Sequence, residues 1–276
     1  MELSSMSVEN LVTNILLILN NDMKNLRFRA AYVLGIYDIR KRYRKSSLGP
    51  GWITFGLIIQ ILIMSIVFAK LFDTNIKIYI PYIAIGLIYW NLFVSFVNDA
   101  IECFSANSNL IKQMPLNLIF YIVRIFFRNI FIFLHNIIVL PLILYLTVGF
   151  DNLNLFVFLI GNLIFFAFLF IVSIPISILG ARFKDIGPII NSCLQILFYI
   201  TPIMWSVNNS IKSDSILSYL IKYNPISCLF NIVRSPIYGN SIPLFEYLYI
   251  FIFIIFGILL TYILLKKYSR RIPFWV

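Results

Sequence analysis

Long apolar runs alternate with short polar breaks along this chain, and the runs have the length of helices rather than strands. They fall near 52–72, 78–100, 129–148, 153–179, 186–206 and 244–265. About 20 apolar residues make a helix that crosses a ~30 Å hydrocarbon layer, so six membrane-spanning helices are predicted. The third extends back to residue 116, because Leu116 to Val148 reads as one helix of about 50 Å at ~1.5 Å per residue, longer than the layer. The fifth is the most interrupted, with Pro188, Asn191, Ser192, Gln195 and Pro202 inside it. Such breaks persist in a membrane only where neighbours or a cavity satisfy the freed backbone groups.

A different pattern precedes the first run. Over 24–48, at about 100° per residue, Phe28, Tyr32, Ile36, Ile39 and Tyr43 share a sector of about 80°, and the seven basic residues from Arg27 to Lys45 lie outside it. This predicts a basic amphipathic helix along the membrane interface. Its Arg40, Lys41, Arg42 and Arg44 would each contribute about 1 kcal/mol against an anionic leaflet. Gly49, Pro50 and Gly51 end that helix, and Trp52 opens the first span as an interfacial anchor. Residues 11–19 are apolar but include Thr13 and Asn14 and follow Glu2 and Glu9, so no cleaved signal peptide is expected. No internal repeat or linker divides the chain, which reads as one all-α integral membrane domain over 1–276: six spans preceded by the interface helix.

Composition agrees and adds an orientation. Of 276 residues 61% are apolar and 12% charged, against roughly 25% charged in soluble domains, which excludes a water-soluble globule. The net charge is +11. Fifteen basic residues fall before span 1, in the 2–3 and 4–5 loops and in the tail, against five on the opposite side. Basic excess marks cytoplasmic loops, so both termini are expected in the cytoplasm, and no nucleic-acid partner is. Cys103, Cys193 and Cys228 are odd in number and lack metal-site spacing, so neither a disulfide framework nor a zinc site is indicated.

Candidate chemistry is sparse. Most acidic residues lie in loops or at helix ends; only Asp99 and Glu102 closely follow a span. The lone histidine, His135, reads as a packed hydrogen-bonding residue. With no converging acids, bases or metal ligands, no catalytic site is expected. No Gly-Lys dipeptide occurs, so a phosphate-cradling loop is absent and any ATP must be bound by another chain. Two polar stripes do stand out, Asn91, Ser95, Asn98 and Glu102 on span 2, and Ser192, Gln195 and Tyr199 on span 5. Polar side chains avoid lipid, so each stripe faces either another helix or a water-filled path. Arg124, Arg128 and His135 share a sector of about 40° with Tyr121 adjoining. Two readings stay open there: contact with a phosphate group, or snorkelling of the early arginines into the headgroup layer.

Five segments in order carry a family resemblance: RYRKSSLGPGW at 42–52, SANSNLIKQMP at 105–115, ARFKDI at 181–186, FYITPIMW at 198–205 and YNPISCLFNIVRSPIYG at 223–239. Their ordered set, covering the chain from about Ala30 to Lys267, resembles the permease subunit of ABC-2 type polysaccharide exporters, which move O-antigen, capsular polysaccharide or teichoic acid. The resemblance implies a non-catalytic subunit in the cytoplasmic membrane of a bacterium, paired with a second copy of itself and with two copies of a separate ATPase that holds ATP and Mg. It implies no cofactor on this chain and a polyprenyl-diphosphate-linked polysaccharide as substrate; the phosphate reading of Arg124 and Arg128 would then have them meet its pyrophosphate, with snorkelling still the alternative. Residues 102–115 match the coupling segment seated on the ATPase, through Asn107, Asn109, Leu110, Ile111, Lys112 and Pro115. Leu110, Ile111 and Met114 independently read as apolar positions beyond a span that need a protein partner or the bilayer surface. Residues 207–243 match two short re-entrant helices closing the external mouth. The rival readings are an ABC-2 permease for a drug or lipid and, from another class, an integral-membrane glycosyl- or acyltransferase or a secondary transporter.

Overall fold

A computed structural model describes residues 23–42, 44, 46, 49, 51–113, 116–205 and 216–276. The described chain is all-helical. Its elements are α1 (Met23–Arg42), α2 (Gly51–Leu71), α3 (Ile76–Glu102), a 3-10 turn (Ser105–Asn107), α4 (Ser108–Gln113), α5 (Leu118–Ile137), α6 (Val139–Leu146), α7 (Leu155–Arg182), α8 (Ile186–Ile200), α9 (Ile216–Lys222), α10 (Pro225–Arg234), a second 3-10 turn (Ser235–Ile237), α11 (Leu244–Tyr268) and α12 (Ile272–Trp275). Among them α2, α3, the α5–α6 pair, α7 and α11 are long and apolar enough to cross a membrane.

Five such spans form where six are predicted, and the exception is the interrupted fifth run. Its helix α8 has 15 residues, about 22 Å at ~1.5 Å per residue, short of the ~30 Å layer. The helix stops because Thr201 precedes Pro202, which drives the residue before it out of helical backbone; Thr201 is extended at φ −78 and ψ 133. The third span is also divided. Pro141 has no N–H to offer the carbonyl of Ile137, and the helix is broken at Ile138. The pair still spans 29 residues, about 43 Å, so its first turns project beyond the hydrocarbon.

Helix α3 is the hub, with 72% of its central window buried against 11–33% for the other spans. It packs on α2, α5 and α7. Apolar contact gains little over lipid inside a bilayer, so close packing and interhelical hydrogen bonds hold such bundles. Both occur here: Tyr89 on α3 donates to Asn162 on α7 at 2.7 Å, and Thr54 on α2 donates to Asn136 on α5 at 3.1 Å.

Helix α1 lies along α5, and it buries a different face from the one its aromatic stripe suggests. Ala30, Ala31, Gly35 and Ile39 are the buried positions among the described side chains; the last three share a sector centred about 60° from that of Phe28, Tyr32, Ile36, Ile39 and Tyr43, and Ala30 lies still further from that stripe. Phe28 and Tyr32 are instead exposed and touch the edges of Phe127 and Phe131. The reason is backbone approach: a Cβ on Gly35 would sit 3.0 Å from the Arg124 carbonyl oxygen and 3.2 Å from the Arg128 nitrogen. Only a glycine lets α1 lie this close to α5.

Candidate functional site

One end of the bundle gathers α1, the turn after α3, α4, the start of α5, the α7–α8 junction and α12, and with them most of the basic residues. Here every nitrogen of the Arg124 guanidinium on α5 donates within the chain. Its Nε and Nη2 donate to the two carboxylate oxygens of Asp38 at 2.7 and 2.6 Å, and its Nη1 donates to Asn107 Oδ1 at 2.8 Å. Asn107 in turn donates to the Cys103 carbonyl at 2.7 Å. One guanidinium thus ties α1, α5 and the 105–113 segment together.

One turn further along α5, Arg128 meets Asp99 on α3, with Nε to Oδ2 at 3.0 Å and Nη2 to Oδ1 at 2.5 Å. Asn129 donates to the same carboxylate at 2.7 Å and accepts from Ser95 at 2.6 Å. Both arginines turn their forked edge toward a carboxylate, the pairing that guanidinium geometry fits best. Each arginine keeps N–H groups on Nη1 and Nη2 that these carboxylates do not take. His135 is exposed, its Nδ1 bonded at 2.7 Å to the Phe131 carbonyl of its own helix. The carboxylates that complete these pairs were not singled out as site residues by sequence, although a charge within a span implies a partner.

The 105–113 segment divides by exposure. Ile111 is buried in the chain's own core with Ala181 and Ile272, and Leu110 is half-buried against the same cluster. Their partner is therefore the C-terminal helix α12 and the end of α7, within this chain. Asn109, Lys112 and Gln113 are exposed and form the free face of α4. Of the remaining residues singled out, Arg40, Lys41 and Arg44 are exposed, whereas Pro115, Tyr43 and the Arg42 side chain lie outside the described residues.

The two polar stripes fare differently. On α3, Ser95 is engaged with Asn129 in helix packing, while Asn91 and Asn98 on either side are half-buried and make no hydrogen bond among the described residues. On α8 the stripe is bare. Asn191, Ser192, Gln195 and Tyr199 are exposed, Tyr199 by 65%, and Leu194 is the helix's buried residue.

At the opposite end a second arrangement appears that the sequence did not disclose. The non-helical stretch 201–205 after α8 offers carbonyls that have no ladder partner, and side chains supply the donors. Arg234, only 7% exposed, donates to Pro202 O at 2.7 Å and Ile203 O at 3.4 Å. Tyr82 donates to Trp205 O at 2.8 Å and Pro202 O at 3.1 Å, and Tyr79 donates to Met204 O. The Arg234 guanidinium lies over the Tyr82 ring at 3.8 Å. Gly86 makes room for this: a Cβ there would be 2.7 Å from Ile203 O and 2.9 Å from Arg234 Nη2.

The described residues hold no group of three or more His, Cys, Asp or Glu placed to bind a metal. The conserved pattern of a transporter family, described as ABC-2 type transporter, matches residues 29–238. The chain belongs to the ABC-2 type transporter family. Among curated proteins this permease is similar to the O-antigen export system permease protein RfbA of Klebsiella pneumoniae, at 27% identity over 251 residues, covering 84% of this chain and 88% of the relative. A second K. pneumoniae protein of the same name matches to the same extent. The RfbA permease of Myxococcus xanthus is 21% identical over 209 residues, covering 75% of this chain and 79% of the relative. The permease is thus a distant relative of O-antigen export permeases, and its role as a multi-pass, non-catalytic membrane subunit follows from the family.

Proposed function

We propose that this permease is the membrane half of an ATP-driven exporter of lipid-linked polysaccharide, working as a homodimer with two copies of a separate ATPase that carries ATP and Mg. The observation that carries the conduit is the bare polar face of α8. A helix otherwise apolar, set among spans, exposes Asn191, Gln195 and Tyr199, whose polar groups lipid leaves unsatisfied, beside Ser192, which donates to the Pro188 carbonyl of its own helix at 3.0 Å. A second copy of the chain laid against this face would enclose it and give a wet path for a hydroxylated polymer. The names borne by the relatives favour a polysaccharide cargo.

The basic end is then cytoplasmic, with both termini there. The free face of α4, Asn109 with Lys112 and Gln113, is the part of 102–115 left to meet the ATPase. α1, through Arg40 and Lys41, faces the anionic leaflet. The test is reconstitution of the permease with a separate ABC ATPase subunit from the same cell. ATP-dependent movement of lipid-linked polysaccharide into the vesicle lumen is the expected result. Failure of the two subunits to co-purify, or transport without ATP, overturns the reading.

A cysteine placed on the polar face gives a direct check on the conduit. Burial pushes the thiols of Cys103 and Cys228 up to about 12, which leaves almost no thiolate to react at neutral pH. Cys193 is exposed on α8 but lies about 150° round the helix from the centre of the polar face. In an assembled exporter carrying Cys193→Ser and Gln195→Cys a water-soluble maleimide is expected to modify position 195 and to spare the two buried thiols, read by mass spectrometry. Protection of position 195 in the assembled complex but not in detergent-dispersed subunits means that the α8 face is packed dry rather than wetted.

A further inference from the structure

A cavity of about 1160 Å³ opens at the end of the bundle opposite the basic one, within a single protomer, between the start of α3, the α9–α10 pair and the start of α11. It is somewhat larger than the roughly 300–1,000 Å³ typical of small-ligand pockets. Its wall is a polar stripe of α10: Ser227, Asn231 and Arg234, spaced 4 and 3 apart and so on one helix face. Ser227 and Arg234 are 6% and 7% exposed, yet Ser227 Oγ and Arg234 Nε have no hydrogen-bond partner among the described residues. Buried polar atoms are nearly always bonded, and each exception calls for an explanation. Two exceptions on the wall of one cavity point to a ligand that completes them.

The chemistry of that ligand follows from what is already engaged. Arg234 has given one N–H of each terminal nitrogen to a carbonyl and one face to Tyr82, so three of its five N–H groups remain as donors, the Nε–H among them. The Glu246 carboxylate accepts both its bonds from Asn231 Nδ2, at 2.8 and 2.7 Å, and keeps lone pairs to spare. Those lone pairs accept hydroxyl protons, and the carboxylate shares the cavity wall with two cations, Arg234 and Lys222. Tyr238 and Phe245 add aromatic faces, whose negative π surface suits polarised C–H groups. Several N–H donors, amide and carboxylate acceptors, a hydroxyl and aromatic faces together describe a site for a polyhydroxylated ring.

We propose that this cavity is a sugar-binding subsite, one per protomer, on the outer face of the permease. The choice of sugar as ligand class, and the outer placement, rest on the export reading above. The cavity's residues are separate from the α8 face assigned to the conduit.

The test uses the full permease–ATPase complex in nanodiscs and, as probe, short carrier-free oligosaccharides released from the producing cell's own surface polymer, with binding followed by calorimetry. Saturable binding is expected, about tenfold weaker in Ser227→Leu, which fills the cavity, and in Asn231→Ala, which removes the donor that holds Glu246; elution of each variant as an intact complex guards against misfolding. Binding that survives both substitutions unchanged belongs to the conduit and overturns the subsite, as does its absence in a complex that still exports. Displacement by inorganic phosphate overturns the sugar assignment. Ser227-dependent binding in a complex that translocates no polysaccharide leaves the subsite standing and sinks the export reading instead.

Discussion

Asp38→Arg is expected to abolish transport by the assembled exporter, and Arg124→Asp in the same chain to restore a substantial part of it. Asp38 and Arg124 are joined by two hydrogen bonds, at 2.6 and 2.7 Å, with side chains 17% and 18% exposed. An exposed pair contributes about 0–1 kcal/mol and breaking a buried one costs about 3–5 kcal/mol; this partly buried bidentate pair falls between, at about 2 kcal/mol. Reversal of one charge adds repulsion to that loss and places two guanidiniums face to face where α1 meets α5. Because Arg124 also holds Asn107, the disturbance reaches the segment proposed to sit on the ATPase. ATP hydrolysis and transport measured in one preparation separate the outcomes. Hydrolysis that continues while transport stops, with recovery in the doubly reversed chain, makes this pair a positioning element between the two subunits. Full transport by Asp38→Arg alone rules out that role.

The spans are legible because about twenty apolar residues in a row admit few alternatives, and the run that fails to form a full span is the Pro-bearing one at 186–206. Its end was misplaced because Ile203, Met204 and Trp205 continue the hydropathy of α8 while Pro202 has already ended the helix. The face of α1 was misjudged for a related reason. A search for large apolar and aromatic side chains selects Phe28 and Tyr32, whereas the packed face is built on the small residues Ala31 and Gly35, and Gly35 matters through the closeness it allows.

The side-chain networks were beyond a linear reading. Arg124 and Arg128 could be seen to share a helix face, but their carboxylates lie 86 and 29 positions away, and no periodicity connects residues on different helices. Leu110 and Ile111 illustrate the converse. Their apolar character beyond a span points to a protein partner or the bilayer surface. In the structure α4 packs on α12, and Ile111 shares a buried cluster with Ile272 from the short apolar tail 272–276.

Arg234→Met is expected to give the second large effect, a loss of stability at the outer end with insertion retained. Methionine keeps much of the length and apolar contact of the arginine stem but donates nothing. Ile203 O then loses the donor found for it, at 3.4 Å, and Pro202 O keeps Tyr82 alone, at 3.1 Å. A hydrogen bond from a charged donor is worth about 1.5–3 kcal/mol, and a buried acceptor left unpaired incurs its desolvation cost. A total of about 3 kcal/mol corresponds to a fall on the order of 5–10 °C in unfolding midpoint for a chain of this size. Arg234→Lys should fall between wild type and Arg234→Met, since one ammonium cannot serve two carbonyls in the geometry of a planar fork. Thermal unfolding of the three proteins in one detergent is the measurement. An unchanged midpoint in Arg234→Met would mean that Tyr79 and Tyr82 suffice to hold the 201–205 turn against α3. The expected fall identifies Arg234 as the group that fixes the end of the short helix α8, and so the outer limit of the face on which the proposed conduit depends.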